Sequence, residues 1–255
     1  MKQLPNILTL CNLFCGALAI ICILHAPEYR AEINGADYTI ISPEPVYWAS
    51  ALVVIAGIFD FFDGMAARLL RVSGPMGKEL DSLADVVTFG VVPGMMLYRL
   101  LRSAYFQQPD VFDVSVINLA PTLLVPCFAA YRLAKFNIDT RQSENFIGVP
   151  TPAVALLVAS FPMIVLFNPF NLAHWFQNIW VLYITIALLC YLMVAEIPMI
   201  SLKFKSKSLA ANWPRFLLIL LTIVSIPFLK FAAVPFIFVC YVILSVAVPP
   251  KIEAV

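Results

Sequence analysis

Charge is what this chain has least of. Across 255 residues only 12% are Asp, Glu, Lys or Arg, with 16 basic side chains set against 15 acidic ones. Soluble domains usually carry about twice that fraction, so the composition does not fit a water-soluble globule. The balance of +1 leaves no basic stripe of the kind a nucleic-acid binder presents, and no nucleic-acid partner is expected. Histidine is nearly absent: His25 and His174 stand alone near the ends of apolar runs, where packing or interfacial roles suit them. The six cysteines, at 11, 15, 22, 127, 190 and 240, lie mostly inside apolar segments, and none forms a close CxxC pair. They read as small buried hydrophobes rather than zinc ligands.

Apolar surface, by contrast, is abundant. Hydrophobic residues make up 62% of the chain and mean hydropathy is +0.92. At about 20 residues per crossing, the pattern predicts about eight transmembrane helices, near 4–26, 47–70, 78–103, 117–138, 150–168, 174–195, 213–230 and 232–249. The expected fold class is all-α, a polytopic membrane helical bundle. The first run, with Lys2 and Pro5 before it, is longer than the apolar core of a usual secretory signal and reads as a retained span. With the N-terminus in the cytoplasm, twelve of the sixteen basic residues fall on that side, so the positive-inside rule places both termini there. KFKSKS, at 203–208, is the most basic loop and suits contact with anionic headgroups. The polar, proline-bounded segment 27–46 reads as an external loop.

The informative acids are Asp60, Asp63, Asp81 and Asp85, each at or near the cytoplasmic end of an apolar helix. Carboxylates there are costly unless paired or bound to metal. Asp60 and Asp63 are three apart and share a helix face, which Gly64, Ala67 and Arg68 continue. Asp81 and Asp85 are four apart, with Gly77 one turn earlier. The intervening RVSGPMG is a turn, so the two helices are antiparallel neighbours and the carboxylates face one another. An all-oxygen set of this kind suits one or two hard divalent ions, Mg²⁺ or Mn²⁺. Gly64 and Gly77 remove side chains where a bulky ligand approaches. A structural polar network, or an ion path such as a divalent-cation transporter would use, remains open on this geometry.

Those residues form DFFDGMAAR at 60–68 and GKELDSLAD at 77–85. The pattern resembles the signature of the CDP-alcohol phosphatidyltransferases at each of its eight defined positions. The resemblance implies that Asp60, Asp63 and Asp81 ligate metal, and that Asp85 is the general base and can complete a second metal site. It implies that Arg68 holds the diphosphate, and that Gly64, Ala67 and Gly77 line the nucleotide site with the first three aspartates. It further implies a six-helix catalytic core over 1–195, followed by a basic cytoplasmic loop at 196–212 and an added helical hairpin at 213–255. A homodimer in the inner, or cytoplasmic, membrane, with its site facing the cytoplasm, belongs to the same expectation.

The acceptor is read from other segments. PNILTLCNLFCG at 5–16, DVVTFGVVPG at 85–94, AAYRLAKFNID at 129–139 and NFIGVPTPA at 145–153 are similar to the serine-using branch of that family, the membrane-embedded phosphatidylserine synthases. CDP-diacylglycerol and L-serine are then the expected substrates. Arg132 and Lys135, three apart, suit a carboxylate or a lipid phosphate, or else snorkel at the interface. Glycerol-3-phosphate or inositol phosphate would need a similar patch. Pro5, Asn6 and Thr9 look like capping residues of the first helix, and by resemblance lie near the nucleotide pocket. Thr151 looks like a cap of the helix that follows Gly148.

Overall fold

A computed structural model of the chain describes residues 3–72, 74–109, 111–139, 146–201 and 209–249. The basic segment 203–208 and Arg141 lie outside the described residues. The protein is a helical membrane bundle. Helix α1 spans Leu4–Leu24 and α2 spans Glu44–Leu70. Helices α3 (Pro75–Asp85) and α4 (Val92–Phe106) form one continuous path, and α5 (Val116–Leu119) leads through a 3-10 turn into α6 (Leu124–Ile138). Then follow α7 (Thr151–Phe167), α8 (Ala173–Phe176), α9 (Ile179–Val194), α10 (Leu209–Leu229) and α11 (Ala233–Ala247). Among the described residues, five helical stretches are long and apolar enough to cross a membrane, the last of them being 212–247. That stretch folds on itself at Lys230, whose φ of 52° ends α10, so α10 and α11 pack as the expected hairpin. Helices α7 and α9 are apolar but shorter, at 17 and 16 residues.

The side-chain pattern of α1 shows why the bundle suits lipid. Its buried stripe is Pro5, Thr9, Asn12, Cys15, Gly16, Ala19 and Ile23, small or polar at helical spacing. Its outer face carries Ile7, Leu10, Phe14 and Ile21, all exposed. Small residues on the inner face let helix backbones approach closely, the usual basis of packing between membrane helices. Gly16 is the tightest such point. A Cβ there would run into the Thr88 side chain across the interface, and the Thr88 hydroxyl already donates to the Asn12 carbonyl at 3.3 Å. Gly16→Leu should therefore push α1 off its neighbour, costing about 1–3 kcal/mol and displacing Thr9 and Asn12. The expected readout is a lower thermal midpoint in detergent together with loss of activity. A variant with the wild-type midpoint and rate would show that this contact does not set the position of α1.

Between α3 and α4 the ladder widens into a π turn at Val86–Val91. Pro93 supplies a reason: it has no N–H to donate, and its ring crowds the carbonyl four residues back. The turn presents Gly90 and Gly94 to α6, where added Cβ atoms would stand 3.0 Å from Ala129 Cβ and 2.9 Å from Pro126 Cδ.

One local expectation gains detail and one is corrected. The segment 27–46, expected as an external loop, holds an antiparallel hairpin, β1 (Glu28–Ile33) with β2 (Ala36–Ile41). Asn34 and Gly35 adopt φ of 56° and 79°, the left-handed pair that a two-residue turn between twisted strands requires. Thr151 does not cap α7. Pro150 occupies the cap position without a side-chain bond, and Thr151 Oγ1 is buried with no partner. A second short ladder, β3 (Phe146–Ile147) with β4 (Pro198–Met199), ties the start of α7 to the end of α9.

Arg99, nearly buried on α4, fixes the far end of α1. Its guanidinium donates to the carbonyls of Ile23 (2.9 Å), Leu24 (3.3 Å) and Ala26 (2.9 Å), and to Glu28 Oε1 (2.8 Å). A cation at a helix C-terminus satisfies the orphan carbonyls and complements the helix dipole. Arg102 adds a second ion pair to Glu28 at 2.9 Å.

Candidate active site

The acidic residues lie two to three turns before the end of α2 and in the second half of α3. Arg71 closes α2 in the left-handed conformation, its φ being 51°, and Gly74 is extended before Pro75 opens α3. This reversal turns the chain back so that both helices pack on α1, with their carboxylates brought together. Asp60, Asp63 and Asp81 offer carboxylate oxygens that all lie within 4.8 Å of one another. Three such groups so close repel unless something positive joins them. Asp81 Oδ1 is buried with no hydrogen-bond partner. Crowded oxygens, an orphaned acceptor and an all-oxygen donor set fit a hard divalent cation.

Asp85 sits one turn deeper on α3, buried, outside that trio but within electrostatic range of Asp60 and Asp81. Its Oδ1 accepts from Asn12 Nδ2 at 3.3 Å. Thr9 reaches Asp63 in the same way: its Oγ1 donates across 2.7 Å to Asp63 Oδ2 and lies 3.0 Å from the Pro5 carbonyl. Helix α1 is thus the third wall of the site.

A cleft of about 230 Å³ opens beside the carboxylates. Helix α1 contributes Pro5, Asn6 and Thr9, α2 contributes Asp63, Gly64 and Ala67, and α3 contributes Gly77, Lys78 and Asp81. The first three are not caps of α1, whose cap position is Gln3; Asn6 Nδ2 donates to Gln3 Oε1 at 2.9 Å. They face the cleft instead. A Cβ on Gly77 would approach Asn6 Oδ1 to 3.3 Å, so glycine keeps the passage between α1 and α3 open. Arg68 is exposed at the end of α2, with Nη1 next to Gly64.

The two basic residues of α6 part company. Arg132 is buried with its guanidinium 5.7 Å from the Phe136 ring centroid, and its charge acts on Asp85 and on Tyr241 of α11. Lys135 points elsewhere, paired with Glu196 Oε1 at 3.1 Å. Lys78, near the acids in sequence, sits at the cleft rim, donates to the Asn137 carbonyl at 2.9 Å and so ties α6 to α3. Two residues escape the sequence reading. Asn12 is one. Tyr241, the other, donates to the Ile200 carbonyl at 3.2 Å and brings the last helix toward Arg132. Neither has a local sequence signal beyond its own polarity within or beside an apolar run.

Comparison with known proteins gives a family and relatives. Residues 2–192 match the family model described as CDP-alcohol phosphatidyltransferase. The CDP-diacylglycerol–serine O-phosphatidyltransferase of Bacillus subtilis (strain 168) is 34% identical over 176 residues, covering 68% of this chain and 81% of that protein. The protein of the same name from Saccharomyces cerevisiae is 36% identical over 155 residues, covering 53% of this chain and 52% of its own. The archaetidylserine synthase of Methanothermobacter thermautotrophicus is 30% identical over 161 residues, covering 62% and 57%. The chain therefore spans about half the length of the latter two and most of the first.

Proposed function

Because this chain belongs to the CDP-alcohol phosphatidyltransferase family, we propose that it transfers the phosphatidyl group of CDP-diacylglycerol to the hydroxyl of L-serine, giving phosphatidylserine and CMP. One observation carries this reading: three carboxylates gather within 4.8 Å beside a cleft of about 230 Å³, with a fourth one turn deeper. The cytidine head occupies that cleft, flanked by Pro5, Asn6 and Thr9 on one side and by Gly64, Ala67 and Gly77 on the other. Arg68 holds the diphosphate. Asp60, Asp63 and Asp81 hold one or two divalent ions, Mg²⁺ or Mn²⁺, with Asp85 available to a second. Bound there, such ions supply charge stabilisation for phosphoryl transfer.

Asp85 accepts the proton of the serine hydroxyl. The hydroxyl oxygen forms a bond to the phosphorus bearing the diacylglycerol, and the bond from that phosphorus to the CMP oxygen breaks. Positioning and electrostatics do most of the work in such transfers. Arg132 suits the serine carboxylate or the lipid phosphate because it lies close enough to act on Asp85.

Residues 1–195 form the catalytic core in this reading, 196–212 the basic loop and 213–255 an addition on the lipid side. An apolar cavity of about 720 Å³ supports that last role. Its walls come from α7, α10 and α11, and it reaches Phe61, next to Asp60. Acyl chains of the donor fit such a space. The inner or cytoplasmic membrane, a cytoplasmic site and a homodimer complete the proposal.

The test is the purified protein with CDP-diacylglycerol, offered serine, glycerol-3-phosphate and inositol phosphate separately. CMP release with serine is expected. Release with a phosphate-bearing alcohol alone would overturn the acceptor, and metal flux into liposomes without CMP release would overturn the chemistry.

A further inference from the structure

Asn12 combines a hydrogen bond to Asp85 with a buried polar atom that has no partner. It is fully buried on α1. Its Nδ2 donates to Asp85 Oδ1 at 3.3 Å, its main-chain carbonyl accepts from Thr88 Oγ1 at 3.3 Å, and its Oδ1 is buried with no hydrogen-bond partner. With Asp85 as the proton acceptor of the reaction its carboxylate only accepts, and the Asn12 nitrogen faces it, leaving the amide oxygen for another donor. Buried polar atoms are otherwise almost always paired. An orphaned acceptor beside a proton acceptor calls for a donor that arrives with the substrate.

We infer that Asn12 selects the acceptor alcohol, its Oδ1 receiving an N–H of the substrate ammonium while Asp85 receives the hydroxyl proton. This rests on the serine reading above. In serine the hydroxyl and the ammonium sit on adjacent carbons, and the two protein groups that would receive them are themselves joined by a hydrogen bond. The pairing also discriminates. A neutral amide oxygen next to a carboxylate attracts an ammonium, whereas an acceptor phosphate would set oxygen against oxygen with no donor to separate them. A site built to bond an N–H rejects the analogue that lacks it.

The test uses the full chain in lipid with CDP-diacylglycerol and two acceptors, L-serine and 3-hydroxypropionate, which has a hydrogen in place of the ammonium and so no donor there. Two variants are compared with wild type, each checked for CMP binding. Asn12→Ala should raise the serine KM about ten- to hundredfold, the usual cost of a hydrogen bond to a charged group, and lower the ratio of turnover with serine to turnover with 3-hydroxypropionate by a similar factor. Asn12→Asp keeps an acceptor oxygen but sets a like charge beside Asp85, so kcat should fall while the preference for serine persists. Equal losses with both acceptors in Asn12→Ala, with the ratio unchanged, would mean that Asn12 only holds Asp85 and would overturn the inference. Should Asn12→Ala fail to bind CMP, Asn12→Asp decides: loss of serine preference there overturns it too. A wild-type protein that turns over serine without preferring it to 3-hydroxypropionate overturns the inference alone. One that releases CMP only with a phosphate-bearing alcohol overturns the acceptor reading as well.

Discussion

Asp85→Asn is expected to cut transfer to serine by about 10²- to 10⁴-fold, the usual contribution of a positioned general base, while CDP-lipid binding stays near wild type. The expectation follows from where Asp85 lies. It is one turn away from the three crowded carboxylates, so binding that depends on them should survive its loss of charge. Asparagine keeps the size of the side chain, and its amide oxygen can still accept from Asn12 Nδ2, which now stands at 3.3 Å from the carboxylate. What it cannot do is take up a proton from the attacking hydroxyl. CMP release at saturating serine measures the first effect, and titration with a non-reactive CDP-lipid analogue measures the second. Turnover close to wild type would remove Asp85 from the role of base.

The converse pattern is expected at Asp81. Asp81→Asn should weaken divalent-ion binding and, with it, nucleotide binding by more than about a hundredfold, because even the outer partners of metal ligands typically contribute 10- to 100-fold. Its Oδ1 is the buried acceptor that no protein donor reaches, so an ion is the natural partner. Binding of Mn²⁺ to the protein, followed by calorimetry, reads this without reference to activity. In parallel, thorough chelation should stop wild-type turnover and added Mg²⁺ or Mn²⁺ should restore it. Full activity under chelation, or unchanged Mn²⁺ binding in Asp81→Asn, would exclude the ion from this place.

Legibility in the sequence followed the range of the interactions. Apolar runs long enough to cross a bilayer were readable because the signal lies within each run, and α1, α2, α10 and α11 fall close to the spans expected for them. The aspartates were readable because spacings of three and four put them on one helix face. The 28–41 hairpin was hidden for a different reason. Its Asn34-Gly35 turn is a local signal, but the flanking strands bury almost no side chain, so no alternating apolar face accompanies it. The π turn at Val86–Val91 likewise has no period of its own to read. The role of Asn12 and the tie that Lys78 makes to α6 are not legible because their partners lie 73 and 59 residues away along the chain. Thr9 is legible as a helix-start residue and, through the family resemblance, as a neighbour of the nucleotide pocket, but its bond to Asp63 is not.

The clamp that Arg99 makes on the last carbonyls of α1 gives that helix the mechanics of a lever. Ile23 is held to α4, while Asn12 lies eleven residues away at the working end, about 16 Å along the axis at the usual helical rise. With one end pinned, α1 responds to a sideways force in the membrane by pivoting rather than sliding. A swing of about 5° then moves Asn12 by about 1.4 Å relative to Asp85, a displacement of the size that costs on the order of a hundredfold in rate when reacting groups must stay aligned. The Arg99–Glu28–Arg102 cluster at one end of α1 is in this way the fulcrum on which Asn12, at the other, keeps its place beside Asp85.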